Sequence, residues 1–361
     1  MISFNRFVGI GIVILSLLVG FLLQHRISKH KRKPKITRET CKTQNLCITK
    51  DKHIRTKSKD KGFSAPAISR WNYVDVNSLP PVTGLPSSNT TFLTRGGGSN
   101  VDRIGFFVGI DYVNDEENRL QTCFNDVVNL SQYVKQTYDY PTGNMVWLTD
   151  EHKPLPFGGN SQAPTKANFE AAWRSLVQKA QANDRQGKST EIFFVFSGHG
   201  YAQPSTNLNE MSGEEEMLVL LDGFELDENL CTQFLMPLPS SCRVVIVADC
   251  CHSATVCNLP WSYNRISHSL DQESDHTNIQ AHICMIAGCR DEQTSASGNS
   301  EYDMSELSKA FLKLMKMKGT GKALTAVDLI LALRIEMMNR GQKQIPCLSF
   351  SRREDLGARI C

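Results

Sequence analysis

Residues 242–248, CRVVIVA, constrain the fold more than any other stretch of the chain. Val244, Val245, Ile246, Val247 and Ala248 follow one another without a polar interruption. A short β-branched run of this kind reads as a strand buried on both faces, which requires a sheet covered by helices on either side. Polarity then flips abruptly to Asp249, Cys250, Cys251, His252 and Ser253. A second stretch has the same shape: residues 192–196, IFFVF, end in Ser197, Gly198, His199 and Gly200. Ligands meet open α/β sheets at the carboxyl ends of strands. If the two strands are parallel neighbours, their polar tips lie side by side.

A histidine at one tip and a cysteine at the other is the layout of a nucleophile with its base. A thiol near its ordinary pKa is mostly protonated at neutral pH, so it needs a base or a positive neighbour. Histidine can take that proton and return it to a leaving amine. Gly198 and Gly200 let the backbone approach a substrate closely and leave an amide N–H to face an oxyanion. The competing reading is a buried, inert cysteine pair beside a satisfied histidine. The pairing of two strand tips favours catalysis, because His199 precedes Cys251 by about fifty residues, a caspase-type spacing. A metal site on Cys250, Cys251 and His252 is the weakest option, since adjacent residues converge poorly on one ion.

The 361 residues suffice for one α/β domain with appendages. The net charge of +3 hides a basic excess near the N-terminus. It does not mark a nucleic-acid binder, and none is expected as a partner. The 12 cysteines are scattered, and no pair of CxxC units has zinc-finger spacing. Free thiols in a reducing compartment are the simpler reading. Residues 7–23, FVGIGIVILSLLVGFLL, are uncharged and just long enough to cross a bilayer. A basic flank follows, with Arg26, Lys29, Lys31, Arg32, Lys33 and Lys35. The positive-inside rule then predicts a single-pass anchor, a short tail at 1–6 and a body facing the cytosol.

Residues 24–100 read as a linker, basic at first and then rich in Pro and Gly, with disorder expected. A folded domain is expected over 101–361. Strands are predicted at 103–113, 145–148, 192–196, 217–221, 242–248, 282–287 and 344–350. Helical spacing covers 120–138, 165–183, 305–317 and 325–339, with a short helix at 229–234. This alternation predicts an α/β fold with a mostly parallel central sheet sandwiched between helices. Residues 262–280, which include Arg265, read as an irregular surface loop and a candidate for self-cleavage.

SGHGY at 197–201 and DCCHSAT at 249–255 resemble the histidine and cysteine signatures of metacaspases, caspase-like cysteine peptidases. LQTCFNDV at 120–127, AGCRDEQTSAS at 287–297 and QIPCLSFS at 344–351 agree with that family in order. The uninterrupted layout resembles type I. The resemblance implies a caspase-like fold, His199 as base, Cys251 rather than Cys250 as nucleophile, and an oxyanion hole from the N–H groups of Gly200 and Cys251. It implies cleavage of proteins or peptides after Arg or Lys, with Asp126 and Asp249 as the acidic pocket and Cys123 and Ser197 lining it. No cofactor is required for the chemistry. The family's use of calcium as an activator implies a site from Glu215, Asp227, Glu228 and Asn258, the last standing where the family has Asp. A monomer is expected. The alternatives are a catalytically silent, membrane-tethered scaffold and a luminal legumain-like peptidase, which requires the opposite topology.

Overall fold

The computed structural model describes residues 74–96, 100–205, 213–289, 303–318 and 324–361. Twelve strands are present among them: β1 (Val101–Gly109), β2 (Met145–Thr149), β3 (Ser161–Gln162), β4 (Ser189–Ser197), β5 (Gly200–Pro204), β6 (Glu214–Leu220), β7 (Gly223–Leu226), β8 (Cys242–Asp249), β9 (Trp261–Asn264), β10 (Ser269–Gln272), β11 (His282–Ala287) and β12 (Cys347–Phe350). Nine of them form one sheet in the order β10-β9-β12-β11-β8-β4-β1-β2-β3. The run from β11 through to β3 is parallel, whereas β12, β9 and β10 add an antiparallel edge. Strands β5, β6 and β7 make a separate antiparallel sheet.

The buried strands show why the apolar runs are continuous. Along β4, Phe193 and Val195 face one core, while Ile192, Phe194 and Phe196 face the other. Val245 and Val247 of β8 join the first, and Val244 and Ile246 the second. Side chains alternate across a strand, so a strand with helices on both faces must be apolar at every position. On the first face lie helices α1 (Cys123–Tyr138), α3 (Glu306–Lys318) and α4 (Ala326–Asn339). On the second lie α2 (Lys166–Arg185) and a helical segment, Asp227–Asn229 running into Leu230–Leu235. Phe106 stacks on Phe194 at 5.2 Å, and Trp173 of α2 stacks on Phe234 at 5.8 Å. Thr165 and Thr325 cap α2 and α4 through their side chains.

The mixed α/β architecture with a large central sheet flanked by helices agrees with the expectation. Three of the differences from the expected elements have a clear physical cause or consequence. The expected strand over 103–113 ends at Gly109, because the N–H groups of Asp111 and Val113 turn to the Asp150 carboxylate at 2.8 and 3.0 Å. The final strand starts at Cys347 instead of 344, since Pro346 offers no N–H to a ladder. Residues 262–280 are not an irregular loop: they open with the β9–β10 hairpin, whose tip carries exposed Arg265 and Ile266.

The domain also begins earlier than Val101. Residues 74–96, expected as disordered linker, bury Val76, Phe92 and Leu93 in the first core. Leu79, Val82 and Leu85 pack against it. Phe92 and Leu93 donate backbone hydrogen bonds to Arg359 and Ile360 near the C-terminus, at 2.9 and 3.0 Å. The N–H of Val82 donates to Asp328 of α4. Farther on, Arg103 donates to the carbonyls of Thr94 and Gly96 and pairs with fully buried Glu191 at 3.3 Å; Arg243 pairs with the same carboxylate at 2.6 Å. Two guanidiniums and a threonine hydroxyl thus satisfy one carboxylate at the amino end of the sheet, as burial of a charge requires. The expected anchor at 7–23 lies outside the described residues, and among the described residues no helix is long and apolar enough to cross a membrane.

Candidate active site at the strand ends

The parallel register pairs Gly109 with Ser197 and Ser197 with Asp249, so β1, β4 and β8 end together. His199 and Cys251 each lie two residues beyond the ends of neighbouring strands. Gly200 joins the two tips: a Cβ built on it would sit 1.9 Å from the carbonyl oxygen of Cys251 and 3.2 Å from Cys250 Sγ. Only a residue without a side chain fits there.

The imidazole of His199 is fixed at one nitrogen. Nε2 lies 2.7 Å from the carbonyl oxygen of Asn118. A carbonyl can only accept, so Nε2 carries the hydrogen and the neutral ring keeps its lone pair on Nδ1. Burial lowers the pKa of His199, opposed by the Asn118 carbonyl and the Asp115 charge. The ring is therefore neutral, and able to act as a base, down to a lower pH than an ordinary histidine.

The two cysteines at the second tip differ sharply. Cys250 is buried at 1% exposure, and burial pushes its thiol well up. Cys251 is partly exposed. A thiol held protonated in an apolar setting is inert, so of the pair only Cys251 is exposed enough to meet a substrate.

Beside these two strand tips, Asp126 and Asp249 come together although they stand far apart in sequence. Asp126 is completely buried on α1, and Asp249 is 4% exposed at the end of β8. Ser197 Oγ donates to Asp126 Oδ2 at 2.8 Å, and the backbone N–H of Ser305 donates to Asp126 Oδ1 at 2.9 Å. The hydroxyls of Ser305 and Ser308 both donate to Asp249 Oδ2. One residue, Ser305, therefore touches both carboxyl groups. Burial, and then the charge of Asp249, push the Asp126 carboxyl well above the usual range. Cys123, also buried and with its thiol pushed up, lines the same place. Sequence reading brought Cys123, Asp126, Ser197 and Asp249 to this site but missed Ser305, Ser308, Tyr112 and the carbonyl of Asn118. Ser305 was read as the first residue of a helix over 305–317; the helix starts at Glu306, which leaves Ser305 free of the helix to reach both carboxyl groups.

The residues expected to hold calcium are less well gathered. Glu215 accepts from Gln203 at 3.1 Å on β5, whereas its neighbour Glu216 is fully buried. Glu228 Oε2 lies 2.9 Å from His276 Nε2 and accepts from Asn258 Nδ2 at 3.4 Å. Asp227 is buried beside them. Among the described residues, no three His, Cys, Asp or Glu side chains are placed to hold a metal ion together.

Residues 103–260 match the family model for the metacaspase peptidase C14 domain. A Metacaspase-1 of Schizosaccharomyces pombe is 34% identical over 194 residues, covering 50% of this chain and 43% of that protein. Metacaspase III c of Phaeodactylum tricornutum is 31% identical over 228 residues, covering 62% of this chain and 60% of that protein. Among solved structures, caspase-1 of Spodoptera frugiperda superposes with a TM-score of 0.38 at 12% identity, covering 74% of this chain and 95% of that one. The chain spans 33% to 60% of the length of these and similar curated relatives.

Proposed function

We propose that the chain is a metacaspase-type cysteine endopeptidase cleaving after Arg or Lys, a reading supported by the match of residues 103–260 to the metacaspase peptidase C14 family model. The observation that carries the reading is the meeting of two adjacent strand ends, with Gly200 seated against the Cys251 carbonyl and Nδ1 of His199 left as the basic nitrogen.

In the proposed reaction, His199 Nδ1 takes the proton from Cys251 Sγ as the sulfur attacks the scissile carbonyl. The N–H groups of Gly200 and Cys251 stabilise the oxyanion. The imidazolium returns its proton to the leaving amine, leaving a thioester on Cys251. His199 then deprotonates a water that attacks the thioester, and the thiol is restored. Both residues come from neighbouring strands of one sheet, so the proposal needs a single copy of the chain.

Specificity rests on Asp126 and Asp249. A guanidinium or ammonium entering beside them supplies the positive partner that a buried carboxyl pair needs. An aspartate side chain would add a third anion. With fluorogenic peptides differing only at the residue before the scissile bond, Arg and Lys are expected to be cleaved at least about a hundredfold faster than Asp, given the cost of an unpaired buried charge. Equal rates, or preference for Asp, would refute the specificity.

Calcium enters the proposal as a modulator at most, and no step passes through it. Glu228 already has His276 and Asn258 as partners, so the same assays are expected to change less than about threefold between added calcium and chelator. Tethering to a membrane through residues 7–23, with the peptidase domain in the cytosol, is also proposed. The support is the uncharged run and its basic flank. Resistance of the chain to alkaline extraction from membranes, lost on deleting 7–23, is the expected result.

A further inference from the structure

The loop after β1 carries a residue that the proposed chemistry has not used. Tyr112 is 4% exposed and adopts φ 52°, in the left-handed region that a bulky side chain rarely occupies. The residues on either side hold it there. The N–H of Asp111 and the N–H of Val113 bind the two oxygens of Asp150, at 2.8 and 3.0 Å. The Asp111 carboxylate in turn accepts from the N–H groups of Cys123 and Phe124, which fastens the loop to the start of α1. Such a conformation persists only where its surroundings over-determine it, and it clusters at functional sites.

Tyr112 meets His199 in two ways. Its hydroxyl donates to the Val219 carbonyl at 2.7 Å and accepts the His199 backbone N–H at 2.9 Å. The Val219 N–H donates to the His199 carbonyl at 3.0 Å, closing a ring of three hydrogen bonds around the histidine backbone. Its aromatic ring lies 4.6 Å from the imidazole, centroid to centroid, at a tilt of 36°. Gly198 leaves room for this, because a Cβ there would come within 3.1 Å of the hydroxyl.

We propose that Tyr112 is the positioning residue for His199, with two separable parts: the hydroxyl fixes the backbone that carries the imidazole, and the ring walls the imidazole from water. The proposal rests on His199 being the base. The titratable groups around this pair are Asp115 and Asp150 from the loop side, Cys123 from α1, and Cys250 after the end of β8. The ring packs against the imidazole, whose pKa burial lowers.

The two parts predict different results in the full-length protein. Tyr112→Phe keeps the wall and loses the hydroxyl. Its kcat is expected to fall about thirtyfold with KM within twofold, the size of effect a small misplacement of a catalytic group produces. The acid limb of its pH profile should stay where the wild type has it. Tyr112→Leu lets water reach the imidazole, so the acid limb should move to higher pH, because the base becomes protonated at a higher pH. Labelled-histidine NMR, with the His199 signal assigned through His199→Gln, follows the same titration without relying on turnover. An unmoved His199 titration in Tyr112→Leu, or an undiminished kcat in Tyr112→Phe, would overturn the proposal. If the wild type hydrolyses no peptide, the peptidase reading fails on its own, while the NMR titration still decides the role of Tyr112.

Discussion

Gly200→Ala is expected to reduce peptide hydrolysis at least about a thousandfold while the domain still folds. The added methyl would sit 1.9 Å from the Cys251 carbonyl oxygen and 3.0 Å from its carbonyl carbon. Both are backbone atoms of the loop that carries the nucleophile, so no side-chain rotation relieves the clash. The loop has to move. A displacement of about 1 Å costs roughly a hundredfold through lost alignment. Disturbing the Gly200 and Cys251 N–H groups adds the loss of an oxyanion donor, another hundredfold or so. Overpacking of this kind typically costs about 1–3 kcal/mol of stability, so the melting temperature should fall without loss of cooperativity. Near wild-type activity in a folded Gly200→Ala protein would mean that the two tips do not work as one site.

Asp126→Asn is the second large effect. The amide keeps the size of the carboxyl group and an oxygen to accept from Ser197 or Ser305, so the fold should be retained. What is lost is the negative charge. Removing one partner of a buried charge pair costs about 2–5 kcal/mol, so kcat/KM for an arginyl peptide should drop at least about a hundredfold. A citrulline peptide, neutral and similar in shape, should lose far less. The pH dependence follows from the raised pKa of Asp126, caused first by burial and then by Asp249. The carboxyl holds its proton to higher pH than an ordinary aspartate, and a cationic side chain must displace it. Activity on arginine should therefore weaken on acidification before activity on citrulline does, and Asp126→Asn should remove the difference. Equal losses on the two peptides would exclude Asp126 from the specificity pocket.

Much of this site was legible in the sequence. The runs at 192–196 and 244–248 are apolar at every position because each strand is covered on both faces, and that requirement also places their polar ends beside one another. Asp249 was readable for the same reason, as the first residue past a buried strand. Tyr112 was not. It follows β1, but its importance lies in a left-handed backbone and a hydroxyl shared between the Val219 carbonyl of β6 and the N–H of His199, neither of which has a periodic signal.

The arm at 74–96 was missed for another reason. Val76, Leu79, Val82 and Leu85 recur at every third position among prolines and polar residues, a pattern that belongs neither to a helix nor to a strand. Its partners, α4 and the last residues of the chain, are more than two hundred residues away in sequence. The hairpin at β9–β10 was hidden similarly, since its strands are four residues each and carry only Trp261, Tyr263 and Leu270 as apolar positions.

The dyad itself is tested most directly by asking which atom reacts. The full-length protein is treated with a peptidyl-arginine acyloxymethyl ketone, an electrophile that labels a cysteine peptidase in proportion to its ability to bind and attack. The modified residue is then mapped by mass spectrometry. A single adduct on Cys251 is expected, absent in Cys251→Ala and formed at least about a hundredfold more slowly in His199→Ala, the scale of a lost general base. An adduct on Cys250 or Cys123, or labelling of Cys251 that is indifferent to His199, would contradict the account.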